Sequence, residues 1–367
     1  MTIKKATKMT GKFHNTVTKS DNAALTACKA GGFHDILMKA VKATSAASMV
    51  GILTMISVLT SCTSREILFD GSSEYVTYSC PAPFEGKTVD IFYNIPEGLS
   101  GKAPVQIVMH GDGRNGESYF KAWKGFSDER KFVLIVPQFT KEQFSVMEYH
   151  QGNVMAADST FNAKEDRIYE VLDEIFRYFI DHSRIRADKF NIYGHSAGGQ
   201  FVHRFMMLGN TEHVGKAIAA NPGWYTFPAD SAAWPYGTGV PTDSKMDQSS
   251  GREIAADQET QDGGDDAGSS PGILSENEKK AFYAKDMTIL IGKADTLRYN
   301  NNLHISPEAD AQGLNRYERA HSFYNWCKRD AASMGTEFNW NILEVPEVGH
   351  SNTKMAPAAV ELLYPTL

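Results

Sequence analysis

The sequence predicts an α/β fold with a mostly parallel central sheet and helices on both faces. Three observations predict it. From Val105 onward, short apolar runs of strand length alternate with amphipathic segments, the signature of repeated strand–helix–strand units. The stretch Asp166 to Ile180 carries Ile168, Val171, Leu172, Ile175 and Phe176 at three- and four-residue spacing, so one helical face meets a sheet. And 367 residues, 42% hydrophobic and 22% charged, suffice for one large globular core.

The elements follow in order. Glu74 to Ser79 and Thr88 to Asn94 are β-rich runs separated by a turn around Gly86, which predicts an antiparallel hairpin. Buried strands are predicted at Val105 to Met109, Phe132 to Val136, Lys189 to Tyr193, Lys216 to Ala220, Met287 to Ile291 and Trp340 to Val345. Helices are predicted at Tyr119 to Arg130, Asp166 to Ile180, Gly198 to Leu208, Glu276 to Ala284 and Arg316 to Met334. The segment from about 242 to 278 interrupts the rhythm. It is rich in Asp, Glu, Ser, Gly and Gln, and reads as a flexible acidic insertion, with a lid role as a second reading.

The N-terminal part has a different character. From Met38, two lysines precede an apolar run from Met49 to Leu59, followed by Leu59-Thr60-Ser61-Cys62. A basic start, a short apolar core and small residues form the layout of a secretory signal over residues 38–61. The core is shorter than the roughly 20 residues that span a bilayer. Leu-Thr-Ser-Cys resembles the lipobox of bacterial lipoproteins, which implies lipidation of Cys62 and a tether over 62–73 leading into a domain at 74–367. Residues 1–37 are polar and lack a period, which fits translation starting at Met38 and a misassigned start upstream. Of the four cysteines only Cys80 and Cys327 belong to the body, where buried thiols are the default expectation.

A net charge of −7 gives no basic footprint for nucleic acid. No zinc-ligand spacing and no HExxH occur, and no cofactor is expected.

The chemical signal is Gly194-His195-Ser196-Ala197-Gly198, with a predicted strand running into it and a predicted helix running out. That context forces Ser196 onto a tight turn at the strand's end, its hydroxyl standing clear and the Ala197 N–H directed to where an oxyanion forms. A serine hydroxyl needs a base. His350 follows the last predicted strand, whereas His195, His203, His213, His304 and His321 fit that place less well. An acid is expected after the preceding strand, where Asp295 stands three residues past Gly292; Glu347 and Asp286 are weaker rivals. The strand Val105 to Met109 ends in His110-Gly111-Asp112, and Gly111 or Asp112 is the candidate second oxyanion donor. Gly111-Asp112-Gly113-Arg114-Asn115-Gly116 also matches G-x-G-x-x-G. A dinucleotide site needs an acidic residue closing the next strand, which here ends in Pro137-Gln138-Phe139.

With these parts in order, the chain resembles the α/β-hydrolases of the group containing poly(3-hydroxybutyrate) depolymerases, feruloyl esterases and acetyl xylan esterases. The likeness runs from about Val105 to Ala358 outside the insertion. It rests on His110-Gly111, Tyr193 to Gly199, Asn221-Pro222-Gly223-Trp224-Tyr225, Ser306 to Ala309 with Gln312-Gly313, and Val348-Gly349-His350-Ser351. The first, second and last mark the fold generally; the other two mark a narrower branch. The resemblance implies acyl transfer through Ser196, His350 and Asp295, with Trp224 and Tyr225 at the rim of the cleft or in the core. The expectation is a lipid-anchored ester hydrolase of the bacterial envelope, acting on acyl or methyl esters of glycans. A serine peptidase of the prolyl-oligopeptidase type is the alternative within enzymes, against which stands the lack of sequence for a propeller. A hydrolase-fold binding lipoprotein without turnover is the alternative outside them.

Overall fold

The computed structural model describes residues 66–71, 75–241, 272–299 and 303–366. The expected leader, signal and Cys62 lie outside the described residues, as does the acidic stretch from 242 to 271.

Eight strands form the central sheet: β1 (Tyr75–Ser79), β2 (Thr88–Asn94), β3 (Val105–Met109), β4 (Val133–Gln138), β5 (Phe190–His195), β6 (Val214–Ala220), β7 (Met287–Gly292) and β8 (Trp340–Val345). Their spatial order is β1-β2-β4-β3-β5-β6-β7-β8. β1 and β2 pair as the expected antiparallel hairpin, from Tyr75 opposite Phe92 to Ser79 opposite Thr88. β2 is also antiparallel to β4, and every pairing beyond that is parallel. The parallel strands need crossovers, which the helices supply.

The helices are α1 (Gly116–Arg130), α2 (Val146–Tyr149), α3 (Ile168–Asp181), α4 (Ala197–Leu208), α5 (Glu276–Tyr283), α6 (Pro307–Gln312), α7 (Arg316–Ser333) and α8 (Asn352–Leu363). Alternating strand residues divide the core in two. Ile107, Ile135, Ile192, Ala219 and Ile289 face a core shared with α3, α4, α5 and α7. Val108, Leu134, Tyr193, Ile218 and Leu290 face a second core shared with α1 and α8. Burial on both faces is why the central strands read as unbroken apolar runs.

The structure departs from expectation in three places. The insertion ends earlier than the expected 278: Leu274 is buried, and Ser275 with Glu278 forms a capping box that opens α5. Those polar residues are helix-capping residues, not loop filler. Helix α8 was not foreseen, since Pro357 lies inside it and hides an apolar face of Met355, Ala356, Ala359, Val360 and Leu363. The short helices α2 and α6 were also missed. Cys80 and Cys327 are both buried and free.

Candidate active site

β5 ends at His195, and Ser196 stands at the N-cap of α4 with φ 60° and ψ −118°. Such torsions cost about 1–3 kcal/mol and persist only where the surroundings enforce them. The enforcement comes from glycines that let three backbones touch. A Cβ on Gly194 would strike the Gly198 carbonyl, one on Gly198 would lie 2.7 Å from the His110 oxygen, and one on Gly199 would lie 2.6 Å from the Ala220 oxygen. Hydrogen bonds from Ser196 N to Ala220 O (2.9 Å) and from Gln200 N to Ser196 O (3.0 Å) hold the turn.

The loops after β7 and β8 bring in two further groups. Lys293 N donates to Val345 O and Ala294 N to Val348 O, both at 2.9 Å, so the loops are laced together. His350 Nε2 lies 2.9 Å from Ser196 Oγ, and its Nδ1 lies 2.8 Å from Asp295 Oδ2. Asp295 is 2% exposed. Burial alone would raise its pKa, yet the His350 and Asn221 hydrogen bonds and the Arg316 charge outweigh burial and hold it below the usual carboxylate range. Burial, aided by Arg316, moves His350 below the ordinary imidazole value despite the opposing pull of Asp295. The ring is therefore neutral at neutral pH.

Gly111 sits beside the serine: a Cβ there would lie 3.6 Å from Ser196 Cβ and 2.8 Å from the Tyr119 hydroxyl. Ala197 opens α4, where a helix leaves its N–H without an intrahelical acceptor. Asp112 borders the same cavity with its side chain half in solvent, 3.7 Å from Lys141 and 3.3 Å from His150. The strand-end loop is fixed by two side chains, His110 and Arg114, whose structural roles the sequence alone did not assign. His110 accepts the Phe139 N–H at 2.9 Å through Nε2, which leaves Nδ1 to donate to Gly111 O at 3.1 Å. Burial pushes its pKa down to about 3, so it stays neutral. Arg114, from the glycine-rich run, donates to the carbonyls of Phe139, Phe144 and Ser145.

Ser196, His350, Gly111 and Ala197 border a cavity of about 740 Å³, a size usual for small-molecule sites. Trp224 lies in its wall, with the Arg204 guanidinium 4.2 Å from its ring and Tyr236 at 4.6 Å. Tyr225 is a correction to the rim expectation. It is fully buried and stacked on Phe323 at 4.4 Å, so it belongs to the core and not to the cavity wall. Tyr236, His304 and Gln200 also line the cavity. Their place in the wall is not legible in the sequence because they come from irregular segments or a helix interior.

The two narrower sequence marks clasp each other. Gln312 exchanges two 2.8 Å hydrogen bonds with the backbone of Tyr225. Arg319 donates to Gly223 O at 2.7 Å and to His304 O at 2.8 Å. Asn221, at φ +44°, donates to Asp295 Oδ2 at 2.5 Å.

No protein-family model and no curated protein matches the chain. Solved structures do. The chain is similar to LpqC, a poly(3-hydroxybutyrate) depolymerase from Bordetella parapertussis, at 27% identity and TM-score 0.68, over 79% of this chain and 88% of that one. It is similar to poly(aspartic acid) hydrolase-1 from Sphingomonas sp. KT-1 at 28% identity and TM-score 0.66, over 79% of this chain and 97% of that one. The chain is an enzyme with the α/β-hydrolase fold. In this hydrolase Ser196, His350 and Asp295 stand just past β5, β8 and β7, and Ser196, Gly111 and Ala197 border one cavity.

Proposed function

We propose that the enzyme is a serine-dependent carboxylic-ester hydrolase working through an acyl-enzyme. The observation that carries the reading is the continuous chain Ser196 Oγ, His350, Asp295, with contacts of 2.9 and 2.8 Å, opening on a cavity. Ser196 attacks the ester carbonyl while His350 Nε2 takes its proton. The tetrahedral oxyanion is met by the N–H of Ala197 and of Gly111 or Asp112. His350 then gives the proton to the leaving alcohol, and a water deprotonated by His350 releases the acid. Asp295 holds the imidazole in the tautomer with Nδ1 protonated and stabilises the imidazolium.

The substrate proposed is an acyl or methyl ester of a glycan, with Trp224 and Tyr236 as the face against which a sugar or phenolic ring packs. An amide-cleaving reading has one observation of its own, the similarity to a poly(aspartic acid) hydrolase. The setting proposed is a lipid-anchored protein of the bacterial envelope, supported by the Leu59 to Cys62 box; a mature protein that begins elsewhere than at an acylated Cys62 would contradict it.

Purified protein is assayed on acetyl-sugar, feruloyl, methyl-uronate and short acyl esters beside peptide amides, with Ser196→Ala as control. Ester turnover lost in the control is expected. Amide turnover without ester turnover would favour the second reading, and folded wild-type protein inert to both would overturn the enzyme reading.

A further inference from the structure

The acid beside His350 is gripped from several sides. Asp295 Oδ2 accepts from His350 and Asn221, its main-chain carbonyl accepts from Tyr317 N at 3.2 Å, and Oδ1 faces Arg316 Nη1 at 3.7 Å. Arg316 is the first residue of α7, is 2% exposed and borders the cavity. A guanidinium keeps its charge in such a place, and Arg is rarely buried without a fixed counter-charge.

The start of α7 is held rigidly. Asn315 accepts from Glu318 N at 3.0 Å, and the Glu318 carboxylate accepts from Asn315 Nδ2 and Leu314 N, both at 2.7 Å. One turn on, Arg319 ties the same helix to Gly223 in the loop that carries Asn221. The helix start and the loop after β6 therefore form one block that closes on Asp295 from two directions.

We propose that Arg316 is a positioning residue for the acid–base pair, holding the Asp295 carboxylate ionised and in line with His350 Nδ1 and keeping His350 the neutral base. This rests on the reading of Ser196, His350 and Asp295 as the reacting set. The charged and titratable groups facing His350 are Asp295 after β7, Arg316 on α7 and His195 at the end of β5, whose ring centre is 4.6 Å away. Burial, reinforced by His350 and Arg316, holds His195 well below the imidazole range, so it adds no charge of its own. The sign follows. A cation near the ring opposes the imidazolium, and removing it raises the pH at which His350 takes a proton. The pull of Arg316 on His350 is in that direction.

The test is the pH profile of kcat/KM on a soluble short-chain ester for wild type, Arg316→Met, Arg316→Gln and Arg316→Lys, with thermal melts in parallel. Gln retains hydrogen-bonding capacity and serves where Met disturbs folding. In the neutral variants the acid limb is expected to move up by about one pH unit, as loss of a nearby charge produces, and Lys is expected to return it toward wild type. A loss of equal size at every pH, with the limb unmoved, would assign Arg316 to packing and overturn the proposal. Ser196→Ala separates the two levels: an inactive control with an unmoved limb defeats the role of Arg316 alone, whereas an active control defeats the reading beneath it.

Discussion

At Ser196 the backbone lies in a region that L-residues rarely occupy, and its companions, the buried Asp295 and the partly buried His350, are hydrogen-bonded into place. The proposed chemistry depends on one tautomer, with the proton on Nδ1 toward Asp295. Asp295→Asn offers an amide in place of the carboxylate and loses both the charge and the tautomer preference. kcat is expected to fall by about 10⁴ with the fold retained, the size seen for such a change in other serine hydrolases. Steady-state kinetics with a melting curve checks it, and near-wild-type turnover would move the acid elsewhere. All three residues were legible in the sequence because each follows a strand in a fixed order. Arg316, Tyr236 and His304 were not, since their place beside the cavity depends on tertiary folding of segments far apart in the chain. Trp224 and Tyr225 could not be told apart by sequence, and only the direction of each side chain assigns one to the cavity and the other to the core.

At the scale of elements, the turn between β5 and α4 works because Gly194, Gly198 and Gly199 let it pass between the ends of β3 and β6. Gly198→Ala places a methyl against the carbonyls of Met109 and His110, which are backbone atoms and cannot rotate away. Overpacking of this kind costs about 1–3 kcal/mol, so Tm is expected to drop by roughly 2–5 °C in a chain of this size. Calorimetry checks it, and an unchanged Tm would mean that the turn relaxes freely. The strands were legible because burial on both faces makes them continuous apolar runs. Helix α8 was not, because Pro357 breaks the pattern that its buried residues otherwise show. The helix from Glu276 was legible, but the end of the insertion was not, because the Ser275–Glu278 capping box is as polar as the segment before it.

Across the whole molecule, the sheet order carries Ser196, Asp295 and His350 to the same edge from strands β5, β7 and β8, and the two clasping segments close the cavity around them. The α/β class and hairpin were evident from alternation alone, while the antiparallel setting of β2 against β4 is a matter of tertiary pairing that no local pattern encodes. The central claim is that this assembly makes Ser196 a nucleophile. Incubation of folded protein with a fluorophosphonate, followed by intact-mass and peptide mapping, tests it most directly. One adduct on Ser196, absent in Ser196→Ala and slowed as pH falls through the range in which His350 protonates, is the expected result. No adduct, or an adduct on another residue with Ser196 untouched, would contradict it.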